Sequence, residues 1–428
     1  MPLPSTLSAA NYRAFARRTE LELRPLTLLY GWNSAGKSAL LRLLPLLGES
    51  VRSDATAALE LSGEAGRGSS FRDVRWKGEI REGLDRHLMI GLRWREPAPL
   101  ERLEYRLEYD EGAERVVIRS FSVEPRGGLA VEATRIPSSE EARAGILSYD
   151  VRRGGSEDEE QIKLQFSGLV PQPLAGLPVT QAMNELLCHL RGAVQWLCTS
   201  RRPPQRRTQR SGAAPRRLEP DGKGAAQVLR AEPEILGEVS AWFEKTLQRR
   251  LEVEDAPPSD FRLLLRSPVR PQIDVDLVDA GEGLIQVLPV LVAAAIARRE
   301  ATEGKPHILA VEEPESGLHP NAQRSLGEHL SAIAASPSPP TIVLETHAYA
   351  LLLAIQLQIL RGQLPHDRVI AYWVEAMEDG SSEVRRVDFD ALGRPGPAGN
   401  WPRHVFADQQ ELAYEIAAEQ LDREDEVE

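Results

Sequence analysis

Residues Thr27–Leu44 read TLLYGWNSAGKSALLRLL. A β-prone apolar segment runs through a glycine-bounded loop into leucines at helical spacing, so the order is strand, loop, amphipathic helix. Within it Gly31–Ser38, GWNSAGKS, fits the pattern GxxxxGK[ST] of a phosphate-cradling loop. The residue types follow from that chemistry. Gly31 and Gly36 free the backbone through Asn33, Ser34 and Ala35 to wrap a phosphate with its N–H groups. Lys37 neutralises the outer phosphate oxygens, and Ser38 offers a hydroxyl to Mg²⁺. Such a loop joins a strand of a mostly parallel sheet to a helix, which makes the chain an α/β protein.

A phosphate loop of this kind needs a second strand with an acidic end. Ile308–Pro320, ILAVEEPESGLHP, has the continuous apolar run of a strand buried on both faces, and it ends in Glu312 and Glu313. Carboxylates in such a place need a partner, and a metal ion is the usual one. Glu312 stands where the carboxylate that completes the Mg²⁺ shell is expected, and Glu313, on the other side of the strand end, is suited to polarise a water. Glu315, after Pro314, is expected to bond backbone at the turn. A third apolar run, Thr341–Leu344, ends in Glu345-Thr346-His347. The interval leaves room for a helix over Asn321–Ala335 and a return strand, bringing His347 to the same edge of the sheet.

The wider sequence bounds the class. The chain has 428 residues, 42% of them hydrophobic, and a net charge of −12, ordinary for a globular protein and unlike one coated with positive charge. The longest nearly apolar run, Leu284–Ala297, carries Gln286 and Pro289 and is too short to span a bilayer. The N-terminus lacks the build of a secretory signal, and Cys188 and Cys198 form neither a disulfide framework nor a CxxC metal site, so a cytoplasmic location without membrane contact is expected. Charge is uneven. Residues 201–217 hold seven arginines and no acid, and Arg201, Arg202, Arg206, Arg207 and Arg210 are candidate nucleic-acid contacts, with a merely solvated loop as the alternative. Residues 411–428 form an acidic tail.

Taken in order, GWNSAGKS, DAGEGLIQVLP (279–289), ILAVEEPESGLHP and TIVLETHAYALLLAIQ resemble the motifs of ABC-type AAA ATPase heads in the RecF, SMC and OLD superfamily. More narrowly they resemble stand-alone bacterial ATPases of defence islands, and residues 400–406, NWPRHVF, are similar to a C-terminal WPxGFF-like element of one such branch. The resemblance covers residues 1–75 and 270–410 and implies a split P-loop core, with ATP and Mg²⁺ held between two copies of the chain. It implies Lys37 and Ser38 on ATP and Mg²⁺, Glu312 in the metal shell, Glu313 as catalytic carboxylate and His347 as the switch histidine. Ser316, Gly317 and His319 would occupy the dimer-facing D-loop. Asn11–Phe15, NYRAF, resembles the family's opening and would put Arg13 near the nucleotide. Gly281, Glu282 and Gly283 lie where the signature loop begins, whose helix N-terminus would meet the partner's γ-phosphate. The signature lacks the usual serine and no Q-loop glutamine is identifiable, Ser70–Val74 holding that region, so slow or partner-activated turnover is expected.

Between these ends, residues 76–170 alternate as an antiparallel β-lobe, and 171–269 read as a helical insertion around the arginine loop, with no long coiled coil. The expected role is an ATP-driven dimerisation switch acting on a separate effector protein, such as a nuclease or toxin. A DNA-binding clamp is the alternative. A fused nuclease is disfavoured because Tyr372–Asp390, with Glu375, Asp388 and Asp390, reads as a hairpin, not a βαβ crossover.

Overall fold

The computed structural model describes residues 2–78, 86–137, 145–156, 158–210, 213–269 and 274–397. Residues 400–406 and the acidic tail lie outside them. Among the described residues three sheets form, and the one that matters most for the site has seven strands. In spatial order these are Val194–Leu197, Ile308–Glu312, Thr341–Thr346, the phosphate-loop strand Leu26–Gly31, Val369–Ala376, Ser382–Phe389 and Pro395–Gly396. The first five run parallel, and the last two are added by antiparallel pairing, so Ser382–Phe389 alone runs opposite to the rest. The strand Thr341–Thr346 therefore separates the phosphate-loop strand from the strand that ends at Glu312.

The apolar runs are explained by cover on both faces. One face carries Leu29, Ile308, Ala310, Val343 and Ile370 against the helix Lys37–Ser50 and the β-lobe. The other carries Leu28, Leu309, Val311, Ile342, Leu344 and Ala371 against the helices Glu282–Thr302, Pro320–Ala334 and Tyr349–Leu360. Residues 285–297 of the first of these three helices are buried on every side, which accounts for the long apolar run without a membrane. No helix among the described residues is long and apolar enough to cross one.

The β-lobe is a nine-stranded antiparallel sheet, a meander from Leu88 to Pro171. Its far edge is the N-terminal pair Thr6–Ala10 and Thr19–Glu22, so these residues join the lobe's sheet and not the parallel one. The insertion is less helical than its composition implies. Helices Val179–Leu190, Ala225–Ala231 and Pro233–Leu247 form, but Val194–Leu197 is the edge of the parallel sheet. Arg250–Ala256 and Asp260–Arg266 pair as a hairpin, with Thr208–Gln209 and Asp274–Asp276 beside the second strand. Tyr372–Asp390 is a hairpin as expected. Asp388 is held there by Arg24 and Arg386, and Asp390 accepts from the backbone of the following turn.

Candidate functional site

The phosphate loop is shaped by backbone that only glycine can adopt at its start. Gly31 has φ 153°, and a Cβ there would lie 2.1 Å from the carbonyl oxygen of Val374. Gly36, at φ 99°, caps the helix Lys37–Ser50 and packs on Phe15 and Ala14. Asn33 and Ser34 are exposed and Ala35 is buried. Lys37 is buried and donates to the carbonyls of Gly31 (3.0 Å) and Trp32 (2.7 Å). Burial pulls its pKa down, against the pull of Glu345, Glu313 and Glu315. Trp32 is 48% exposed and meets Trp373 edge-on, an aromatic at the loop that no motif position announces.

The carboxylates divide in a way the motif does not foretell. Glu312, 0% exposed, does not sit beside Ser38. Arg42 clamps it through both oxygens (2.5 and 2.6 Å), and Trp196 (3.0 Å) and Thr199 (3.1 Å) also donate to it. The Ser38 hydroxyl donates instead to Glu345, at 2.6 Å. The cause is strand order. Glu312 and Glu345 are register partners on neighbouring parallel strands, and Ser38 and Arg42 lie one helical turn apart above them. Glu345 is on the strand next to the phosphate loop, so it meets Ser38, and Glu312, one strand further out, meets Arg42. Burial pushes the Glu345 carboxyl up to about 7, the Ser38 hydrogen bond opposing.

Glu313 turns sharply after the strand, with φ 42°, a strained value for a residue with a side chain, and its N–H donates to the carbonyl of Glu345 (2.8 Å). Glu315 bonds backbone as expected. It is buried and accepts from Thr346 Oγ1 and from the N–H groups of His347 and Ala348 at 2.8–3.1 Å, tying the two strand ends together, and burial raises its pKa. His347 stays neutral, driven down to about 4 by burial and by the charge of Lys37. Glu313, Glu345 and His347 bring ligand atoms within 4.8 Å of one another.

The remaining expected residues fall into two groups. Gly281, Glu282 and Gly283 start the helix Glu282–Thr302, the first two exposed. A Cβ on Gly283 would lie 2.2 Å from the carbonyl oxygen of Gly317, so the signature and D-loop segments touch backbone to backbone. Ser316 and the exposed His319 flank Gly317, and His319 caps the helix Pro320–Ala334. Arg13 instead reaches Ser69 (3.1 Å), and its neighbours Ala14 and Phe15 are the ones against the loop. The expectation for Arg201 is corrected. It is 2% exposed and no surface contact, because its guanidinium fans onto the carbonyls of Glu312, Glu313 and Gln286. Gln286 in turn brackets the Arg201 backbone with two hydrogen bonds (3.0 and 2.9 Å). Arg202, Arg206 and Arg210 pair with Asp221, Asp279 and Asp255, while Arg207 is exposed.

A phosphate loop at the carboxyl edge of a parallel sheet faces a second strand's acidic end, with a histidine just past the strand between, the arrangement of a P-loop nucleotide-binding fold. Residues 226–351, which run through the signature helix, Glu312–Glu315 and His347, match the family model described as AAA ATPase domain. No curated protein matches the sequence. Among solved structures, the SMC head domain from Thermotoga maritima aligns at 12% identity and TM-score 0.44, covering 90% of this chain and 98% of that one. An Smc head bound to the C-winged helix domain of ScpA aligns at 11% identity and TM-score 0.47, covering 91% and 98%. One with an extended coiled coil bound to the C-terminal domain of ScpA, derived from Pyrococcus furiosus, aligns at 10% identity and TM-score 0.44, covering 97% and 100%.

Proposed function

We propose that this protein binds and hydrolyses ATP with Mg²⁺ between two copies of itself, and that the ATP-held dimer is a switch acting on a separate protein. The observation that carries the reading is the convergence of Lys37 and Ser38 with Glu313, Glu345 and His347 at one sheet edge. Lys37 supplies charge to the outer phosphates. Glu313, held off the strand axis by its backbone turn, orients the attacking water and takes its proton. His347, kept neutral by burial and by Lys37 and hydrogen-bonded to the Gly31 backbone, stands at the loop edge where its N–H would turn to the transferred phosphate. The residues present fit a divalent cation, since the buried Glu345 Oε2 has no hydrogen-bond partner. When bound, Mg²⁺ draws charge from the phosphates as they separate. The exposed start of the helix Glu282–Thr302 offers backbone N–H groups to the partner's nucleotide.

The finer reading, a bacterial defence switch with a nuclease or toxin as effector, is supported by the resemblance of the VEEPE and ETH motifs to that branch. ATP turnover by the purified protein tests the activity, with Glu313→Gln as the comparison. Turnover should fall by at least about 100-fold in the variant, with ATP binding kept and an ATP-dependent dimer accumulating in sedimentation. Equal turnover in the two proteins would remove Glu313 from the chemistry.

A further inference from the structure

We infer that Glu345, at the end of the central strand, is the carboxylate that holds the divalent cation beside Ser38, and that Glu312 serves instead to fix the phosphate-loop helix. The inference rests on the ATPase reading above and departs from the role the motif gives to the first acid after ILAV.

Three observations carry it. The first is saturation. Both oxygens of Glu312 are engaged by Arg42, with Trp196 on one and Thr199 on the other, so a cation there would have to displace a buried bidentate ion pair. The second is an open valence at Glu345. The residue is 4% exposed, its Oε1 accepts from Ser38, and its Oε2 is buried with no partner. A buried carboxylate oxygen left without a donor is costly, and a cation bound there would remove the penalty. The third is company. Glu313 and His347 bring ligand atoms within 4.8 Å of that of Glu345, and the Ser38 hydroxyl adds a hard oxygen donor.

Glu312 then acts at one remove. Through Arg42 it sets the rotation and height of the helix Lys37–Ser50, and so the place of Ser38 one turn earlier. It is a positioning residue.

Mn²⁺ is the probe. Its binding to the full chain is followed by electron paramagnetic resonance with and without ADP, and ATP binding is measured in parallel in EDTA. Glu345→Gln should weaken Mn²⁺ binding by roughly 10- to 100-fold, with a change in ATP affinity in EDTA several times smaller than that. Glu312→Gln should weaken Mn²⁺ binding less than Glu345→Gln does while lowering the thermal midpoint, because Arg42 loses its buried partner. Glu345→Asp, which keeps the charge but shortens the reach, is the second variant should the amide fail to fold, and it too should weaken Mn²⁺. The inference is overturned if Glu312→Gln loses Mn²⁺ and Glu345→Gln keeps it. Wild-type protein that binds ATP in EDTA but no Mn²⁺ overturns the cation assignment and leaves the ATPase reading standing. Wild-type protein that holds Mn²⁺ in a Glu345-dependent way but no ATP supports the site and removes the ATPase reading.

Discussion

Two glycines of similar sequence context make opposite demands on a methyl group. At Gly31 the added Cβ would strike the Val374 carbonyl oxygen, which is backbone and cannot swing away, whereas Gly281 has nothing within 4 Å and an ordinary φ. Gly31→Ala should lower unfolding stability by about 3 kcal/mol in a denaturant titration, and Gly281→Ala should stay within about 0.5 kcal/mol of wild type. His307 offers a pH test. It is buried between Glu300 and Arg217, and burial holds its pKa below the ordinary 6.5. The unfolded chain therefore takes up a proton near pH 6.5 that the folded chain refuses. Stability should be full above that pH and fall as pH drops toward the folded value, by at most about 1.4 kcal/mol per unit from this group. Glu300 is also held low, against the effect of burial, by its hydrogen bond to His307 and by Arg217. Thermal midpoints at pH 7.5 and 5.5 should differ less in His307→Gln than in wild type, and an unchanged difference would remove His307 as the source. At this scale the GWNSAGKS loop and the backbone bonding of Glu315 were legible because they follow from residue type and local spacing. The partner of Ser38 was not, because it depends on which strand lies beside the loop.

Among the elements, the connection that sequence left unread is Arg201. Seven arginines in a row of seventeen residues look like a solvated basic loop, yet the first of them follows directly on the edge strand Val194–Leu197 and is drawn inside. Its guanidinium serves carbonyls at the end of Ile308–Glu312, and its backbone is bracketed by Gln286 of the signature helix. The only warning in the sequence was Gln286 itself, a lone amide in an otherwise apolar run. Arg201→Leu should cost about 2–4 kcal/mol by orphaning those carbonyls. If Arg201 positions Glu313, turnover should fall more than ATP affinity does. A proportional loss of both would make its role stability alone. The small sheet of residues 250–276 was hidden for a different reason: its two long strands carry alternating charges that pair with one another, as Arg266 does with Glu252 and Glu254, and read locally as a polar surface.

For the molecule as a whole, the distribution of charge bears on the clamp alternative. Arg202, Arg206 and Arg210 are engaged by the chain's own aspartates, Arg217 by Glu300, and Arg201 is internal. That leaves Arg207 and Arg216 exposed without an ion pair among the described residues, on a chain of net charge −12. Duplex DNA binding should therefore be weak, with a log–log salt slope of about 2 or less. A slope several times steeper, reduced by Arg206→Glu with Arg207→Glu, would restore the clamp reading. The α/β class, the hairpin at residues 369–389 and the β-lobe were all legible from periodicity. That the N-terminal strands belong to the lobe's sheet was not, since pairing between Thr6–Ala10 and Leu88–Arg93 spans some eighty residues.

The contact between Gly283 and Gly317 has a mechanical meaning. Where the first turn of the helix Glu282–Thr302 meets the Gly317 turn, Gly283 and Gly317 lie main chain to main chain, with no side chain of their own between them. A displacement of the start of the helix Glu282–Thr302 would therefore press on the turn that follows Glu313 and Glu315. A second protomer pressing on one loop would move the other by the same amount, as two plates joined by a rivet move together.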